Sequence, residues 1–197
     1  MTSGPSGSRS ALLVMDVQNG IVERFGNSSA LLGRLGGAIS AARQAGTPII
    51  YVHVRFRDGY PEISPRNRAF SALKDGAMPM TESDLSTAIH PAVAPQAGDV
   101  VVTKRRVGAF SGSDLEVVLR SQGITSLVLT GIATSGVVLS TLRAAADMDF
   151  EITVLSDCCA DLDAEVHDVL MTKVFPRQAE VLTVDEWQAT LPSRREP

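Results

Sequence analysis

No uninterrupted apolar run in this sequence reaches the length needed to span a bilayer. The opening MTSGPSGSRS has no apolar core of the kind a secretory signal carries. Basic residues are not in excess: 18 Lys and Arg against 22 Asp and Glu leave a formal net charge of -4, which excludes the broad positive footprint of a nucleic-acid binder. Cysteine is nearly absent. The two that occur, Cys158 and Cys159, are adjacent, so they cannot staple distant elements as secreted frameworks do. His53 stands at the end of an expected strand, and His90 and His167 have no close-spaced ligand partner. These absences lead to the expectation of a cytoplasmic chain with no membrane or nucleic-acid partner, no metal and no cofactor.

What is present is a sequence 44% hydrophobic, spread over 197 residues, enough to bury a sizeable core. Residues 1–10 read as a disordered lead and 11–197 as a single domain, with no internal repeat. ALLVMDV (11–17) reads as a buried strand ending on Asp16. Asn27 or Ser28 can cap a helix running to about Ala45, with Leu31, Leu35, Ile39 and Ala42 on one face and Gly46 as its stop. Further strands are expected at 49–54, 99–104, 127–130, 150–155 and 180–183. Between them lie helices over 113–123, where Ser113 and Glu116 match a capping box, then 135–147, 164–174 and near Trp187. Residues 55–97 form a long, weakly periodic segment of the kind that is functional or holds short helices. Alternating strands and helices, with several strands apolar on both faces, predict a three-layer α/β/α fold around a parallel sheet. In such a sheet ligands bind beyond the carboxyl ends of the strands, where the strand order reverses.

Three features fall at such ends. Asp16 follows the first strand, Lys104 the third, and the turn in TSLVLTGIATSGVVLST (125–141) the fourth. A carboxylate and an ammonium converging in a cleft can move a proton. A strand that turns into a helix leaves backbone N–H groups, here near Ala133 and Val137, that suit a developing negative charge. Each feature also has an ordinary reading: Asp16 as an Asx turn, Lys104 as one of a solvated run with Arg105 and Arg106, and Thr134 or Ser135 as a helix cap.

Three stretches together make the chain recognisable. LLVMDVQNG (12–20), VVTKRRVGAFSGSDLEVVLR (101–120) and LVLTGIATSGVVLSTLRAAAD (127–147) resemble the three motifs of the isochorismatase-like, or cysteine hydrolase, superfamily. The resemblance covers almost the whole chain after residue 10. It implies a six-stranded parallel sheet in the order 3-2-1-4-5-6, a cis peptide at Ile132–Ala133, and a homodimer or homotetramer. It also implies catalytic roles for Asp16 and Lys104. Cysteine members read Gly-x-x-Thr-x-x-Cys-Val in the third motif; here Val137 stands at the Cys position. Nicotinamidase relatives carry an Asp-x-His metal motif, whereas this chain has Asp58-Gly59-Tyr60.

The expected function is hydrolysis of a small, anionic metabolite by Asp16 and Lys104 without a cysteine nucleophile. In the simplest version Asp16 protonates a vinyl ether and water adds to the oxocarbenium ion. Expected substrate contacts are Gln18, Phe110, Ala133 and the arginines 55, 57, 66 and 68; the arginines would grip a carboxylate, pair with Asp58 and Glu62, or form an interface. Two alternatives stay open: an amidase or nicotinamidase-type C–N hydrolase, and a catalytically silent relative that binds a small molecule.

Overall fold

The computed structural model describes residues 9–26, 28–72 and 79–191. Most of the expected lead (1–8) and Asn27, one of the two candidate helix caps, lie outside the described residues. Six strands form one parallel sheet: β1 (Ser10–Met15), β2 (Ile49–Val54), β3 (Val100–Lys104), β4 (Ser126–Ile132), β5 (Glu151–Ala160) and β6 (Glu180–Leu182). Their order is β3-β2-β1-β4-β5-β6, as the motifs implied. The helices are α1 (Asn19–Val22), α2 (Ser29–Ala45), α3 (Arg68–Ser71), α4 (Leu115–Ser121), α5 (Leu139–Asp147), α6 (Ala164–Val169) and α7 (Val184–Thr190).

The apolar run of β1 has a use on each side. Ala11, Leu13 and Met15 join a core with Leu119, Leu142 and Phe175, while Leu12 and Val14 join a second core with Leu35, Ile39 and Trp187. A strand alternates its side chains across the sheet, so a strand covered on both faces must be apolar at every position. α2 contributes Leu35, Ala38, Ile39 and Ala42, one helical stripe, and stops at Gly46 with φ 70°. Val54 at the end of β2 and residues beyond it, Phe56, Ile63 and Met80, carry a small core of their own, with Phe70 edge-on to Phe56 at 5.3 Å.

Two expectations change. Ser113 and Glu116 do not form a capping box; the Ser113 hydroxyl donates to the Ala109 carbonyl and accepts from the Leu115 N–H, and α4 starts without a side-chain cap. The capping box lies instead at Thr183 and Glu186, opening α7. β5 also runs five residues beyond its expected end, to Ala160. A shift in its pairing with β4, between Leu129 and Gly131, sets Cys159 opposite Gly131 and lets the strand continue. Cys158 and Cys159 therefore lie within β5, one in each core, and not after it.

β1 and β4 meet at a point where no side chain fits. Gly131 has φ 130°, and a Cβ built on it would fall 2.0 Å from the Met15 carbonyl oxygen. Gly131→Ala should therefore lose about 3 kcal/mol of stability or more, against about 1 kcal/mol for Thr183→Ala at the α7 cap; thermal denaturation of the two variants checks the ranking. A second outcome concerns pH. His53 is buried with Nε2 2.7 Å from Thr103 Oγ1. Burial first, then the charges of Arg55 and Arg105, lower its pKa from 6.5 to about 4. The unfolded chain takes up the proton first, so this contribution is present above pH 6.5 and is lost as the pH falls from 6.5 towards 4. Denaturant titrations should show a flatter acid limb in that window for His53→Gln than for wild type.

Candidate active site

β1 delivers Asp16 one residue past its end, in the left-handed region at φ 56°. That conformation costs a non-glycine residue roughly 1 kcal/mol or more and persists where its surroundings fix it. Here the Asp16 N–H donates to the Val52 carbonyl at 2.8 Å. Lys104 is the last residue of β3. Its Nζ lies 2.8 Å from Asp16 Oδ2 and donates to the Arg106 carbonyl at 2.9 Å. The two side chains expected to meet do meet, and they do so out of water: Asp16 is 5% exposed and Lys104 1%. Among the described residues Asp16 Oδ1 is buried with no hydrogen-bond partner. Burial raises the Asp16 pKa and Lys104 opposes that; the net direction is upward.

The pair lies on the wall of a cavity of about 370 Å³. β4 leads into it through the cis Ile132–Ala133 peptide and a π turn, Thr134–Val138, that runs into α5. Ala133 and Val137 both line the cavity, as the motif placed them. The turn is tied down at two points: the Ser135 N–H donates to Asp161 Oδ2 at 2.7 Å, and Thr134 Oγ1 lies 2.8 Å from His167 Nδ1. Burial works against the Asp161 carboxylate, but the hydrogen bonds from Ser135 hold its pKa below the usual value. Among the described residues no three His, Cys, Asp or Glu side chains group as a metal site would require.

The other expected contacts are placed elsewhere. Gln18 is fully buried and its amide is spent on backbone: it accepts from Val54 N–H at 2.8 Å and donates to the carbonyls of Val54 at 3.0 Å and Thr87 at 2.7 Å. Phe110 packs on the core beside Phe150, ring centroids 6.1 Å apart, and does not line the cavity; Val107, three residues earlier, does. None of Arg55, Arg57, Arg66 and Arg68 lines it either. Arg57 pairs with Glu62 at 2.5 Å, one of the two carboxylates expected for it, and Arg55 Nε donates to the Thr87 carbonyl. Arg105 joins Glu62 at 3.0 Å and Glu82 at 2.5 Å, so the long segment carries a mutual ion-pair network on its outer side.

Sequence reasoning missed Ile21, Arg24, Phe25, Phe70, Ser135 and Asp161, which all line the cavity. A signal existed for four of them: Ser135 sits in the turn after β4, and Ile21, Arg24 and Phe25 follow β1. The turn that directly follows a strand's carboxyl end borders the crevice in this architecture, and α1 with the 3₁₀ turn Glu23–Phe25 begins three residues after Asp16. Phe70 had no such signal, because its place depends on how residues past β2 fold back.

The family model described as the isochorismatase domain matches residues 10–186. The isochorismatase family protein YwoC of Bacillus subtilis is 31% identical over 91% of this chain and 92% of its own length. Ureidoacrylate amidohydrolase RutB of Stutzerimonas stutzeri is 33% identical over 76% of this chain and 69% of its own. Among solved structures, an isochorismatase family protein from Burkholderia thailandensis superposes with a TM-score of 0.82, at 32% identity, covering 93% of this chain and 95% of that one.

The placement of the cysteines has a direct consequence. Both are buried, and burial pushes the thiol pKa upward at each, to about 12 for Cys159. A thiol that is neither ionised nor accessible does not react. Ellman titration should detect no free thiol in the native protein and two on adding denaturant.

Proposed function

The chain belongs to the isochorismatase family and is a hydrolase, and from that premise we propose that it cleaves a small anionic metabolite by acid–base chemistry at Asp16 and Lys104, without a cysteine nucleophile. One observation carries the reading: the ion pair on the cavity wall leaves one carboxylate oxygen, Asp16 Oδ1, buried and unbonded. A carboxyl group whose pKa burial raises keeps a larger protonated share at neutral pH, as a general acid requires. Lys104 holds the other oxygen, and so fixes which one meets substrate.

On an enol ether, Asp16 gives its proton to the terminal vinyl carbon, leaving an oxocarbenium ion at the ether carbon. Water adds there and returns a proton to Asp16. The hemiketal then collapses to a carbonyl compound and an alcohol, so one water is consumed and the acid is regenerated. The backbone N–H groups of Ala133 and Val137 are the proposed site for oxygen that gains negative charge. Val137 at the cavity wall offers two methyl groups and no lone pair, which supports a route with no covalent intermediate.

A second reading has its own support. RutB, at 33% identity, is named an amidohydrolase, so the same pair can be proposed to activate water against a C–N bond. Substrate classes separate the two. Enol-ether and amide panels are run on wild type and Asp16→Asn, with intact mass measured after quenching during turnover. Asp16→Asn should retain the circular dichroism of the wild type and lose at least 1,000-fold in kcat, on the order of 4 kcal/mol. No adduct mass should appear; an adduct on Cys158 or Cys159 would falsify the nucleophile-free mechanism.

A further inference from the structure

Among the described residues, four charged side chains border the cavity: Asp16, Lys104, Asp161 and Arg24. Three already have partners, although Asp161 keeps its negative charge. Asp16 and Lys104 neutralise each other, and Asp161 accepts the Ser135 N–H. Arg24 is different: it is exposed, and it has no ion pair or hydrogen bond among the described residues. Glu23 beside it does not line the cavity. Among the described residues the site therefore holds one guanidinium with no ion pair, on its solvent side, in a protein whose net charge is -4.

We propose that Arg24 is the specificity-determining residue of this site, binding the carboxylate of a small monocarboxylate substrate whose scissile bond lies at Asp16. The inference rests on the reading of Asp16 and Lys104 as the reacting end. A guanidinium is a planar fork of donors that matches a carboxylate in a bidentate way. Phe25, Phe70, Met80, Ile132 and Val137 make the wall between the two ends apolar. That wall favours an uncharged, unsaturated or alkyl stem and disfavours a second anionic group. A single unpaired cation likewise suits one carboxylate better than a doubly charged phosphate. Arginines 55, 57, 66 and 68 lie off the cavity, and so cannot substitute for Arg24.

The test compares Arg24→Gln with wild type on matched probes: ureidoacrylate and its methyl ester for C–N cleavage, and an enolpyruvyl ether as free acid and methyl ester for C–O cleavage. Expected is a 10- to 100-fold rise in KM for the free acid, kcat within about threefold, and an unchanged KM for the ester. Arg24→Lys should recover only part of the loss. Equal effects on acid and ester, or none, overturn the assignment. Asp16→Asn run in parallel reports on the reacting end separately: residual turnover there would count against the Asp16 mechanism and leave the Arg24 comparison standing. If wild type turns over no probe, calorimetric binding of ureidoacrylate decides. Binding that weakens at least tenfold in Arg24→Gln supports the assignment, and binding equal in both proteins, or absent from wild type, overturns it.

Discussion

The buried pair of Asp16 and Lys104 is the constraint on which this architecture depends. Two opposite charges 2.8 Å apart, at 5% and 1% exposure, lose most of their hydration. Their attraction recovers that loss only when geometry and hydrogen bonds are both right, and removing one partner of such a pair typically costs roughly 3–5 kcal/mol. Asp16 and Lys104 come from strands that are not neighbours; β2 lies between β1 and β3. The pair therefore forms only when all three strands end at the same level. Gln18 holds that level, with one amide bridging the loop after β1 to both backbone groups of Val54 at the end of β2. Val54 in turn pairs in register with Lys104.

The hydroxyl-rich third motif serves this frame more than it serves chemistry. Thr130 donates to the Leu13 carbonyl at 2.8 Å, joining β4 to β1 from inside the sheet. Thr141 accepts the Ala109 N–H at 3.0 Å, joining α5 to the segment after Lys104. Thr134 is bonded to His167, and the Ser135 N–H to Asp161. The close approach of Gly131 to Met15 completes the joint. With these groups engaged in scaffold contacts, few polar side chains among the described residues are left without a partner, and the Oδ1 of Asp16 and the guanidinium of Arg24 are two of them.

The arginines show the same economy from the outside. Arg57 and Arg105 share Glu62, and Arg105 also reaches Glu82. At the opposite, amino-terminal edge of the sheet, Arg43 forms a two-point pair with Asp99, its shorter contact 2.6 Å, and fastens α2 to the start of β3. The pairs with a well-exposed partner, Arg57–Glu62 and Arg105–Glu82, contribute little each, typically below about 1 kcal/mol, but all of these pairs consume cations. A basic count along the chain therefore says little about where an anion binds.

Read as a string, the chain already contained its sheet, its strand ends and the two residues of its buried ion pair. Strands covered on both faces are apolar throughout, so β1, β2 and β4 stand out without knowledge of their partners, and Asp16 and Lys104 interrupt that pattern where the strands stop. Local signals also set the Gly46 stop of α2. They failed where the answer lay in another part of the chain. β5 continues past its expected end because β4 shifts register beside it, and Ser113 bonds to the Ala109 carbonyl instead of capping α4 with Glu116. Gln18 and Phe110 carry the right chemistry for a ligand, yet tertiary packing assigns one to backbone and the other to the core. Arg24 was passed over for a cluster of four arginines because clustering is a property of sequence. Whether a guanidinium is paired or free depends on carboxylates and cavity walls distant in the chain, and only the fold brings those to its side.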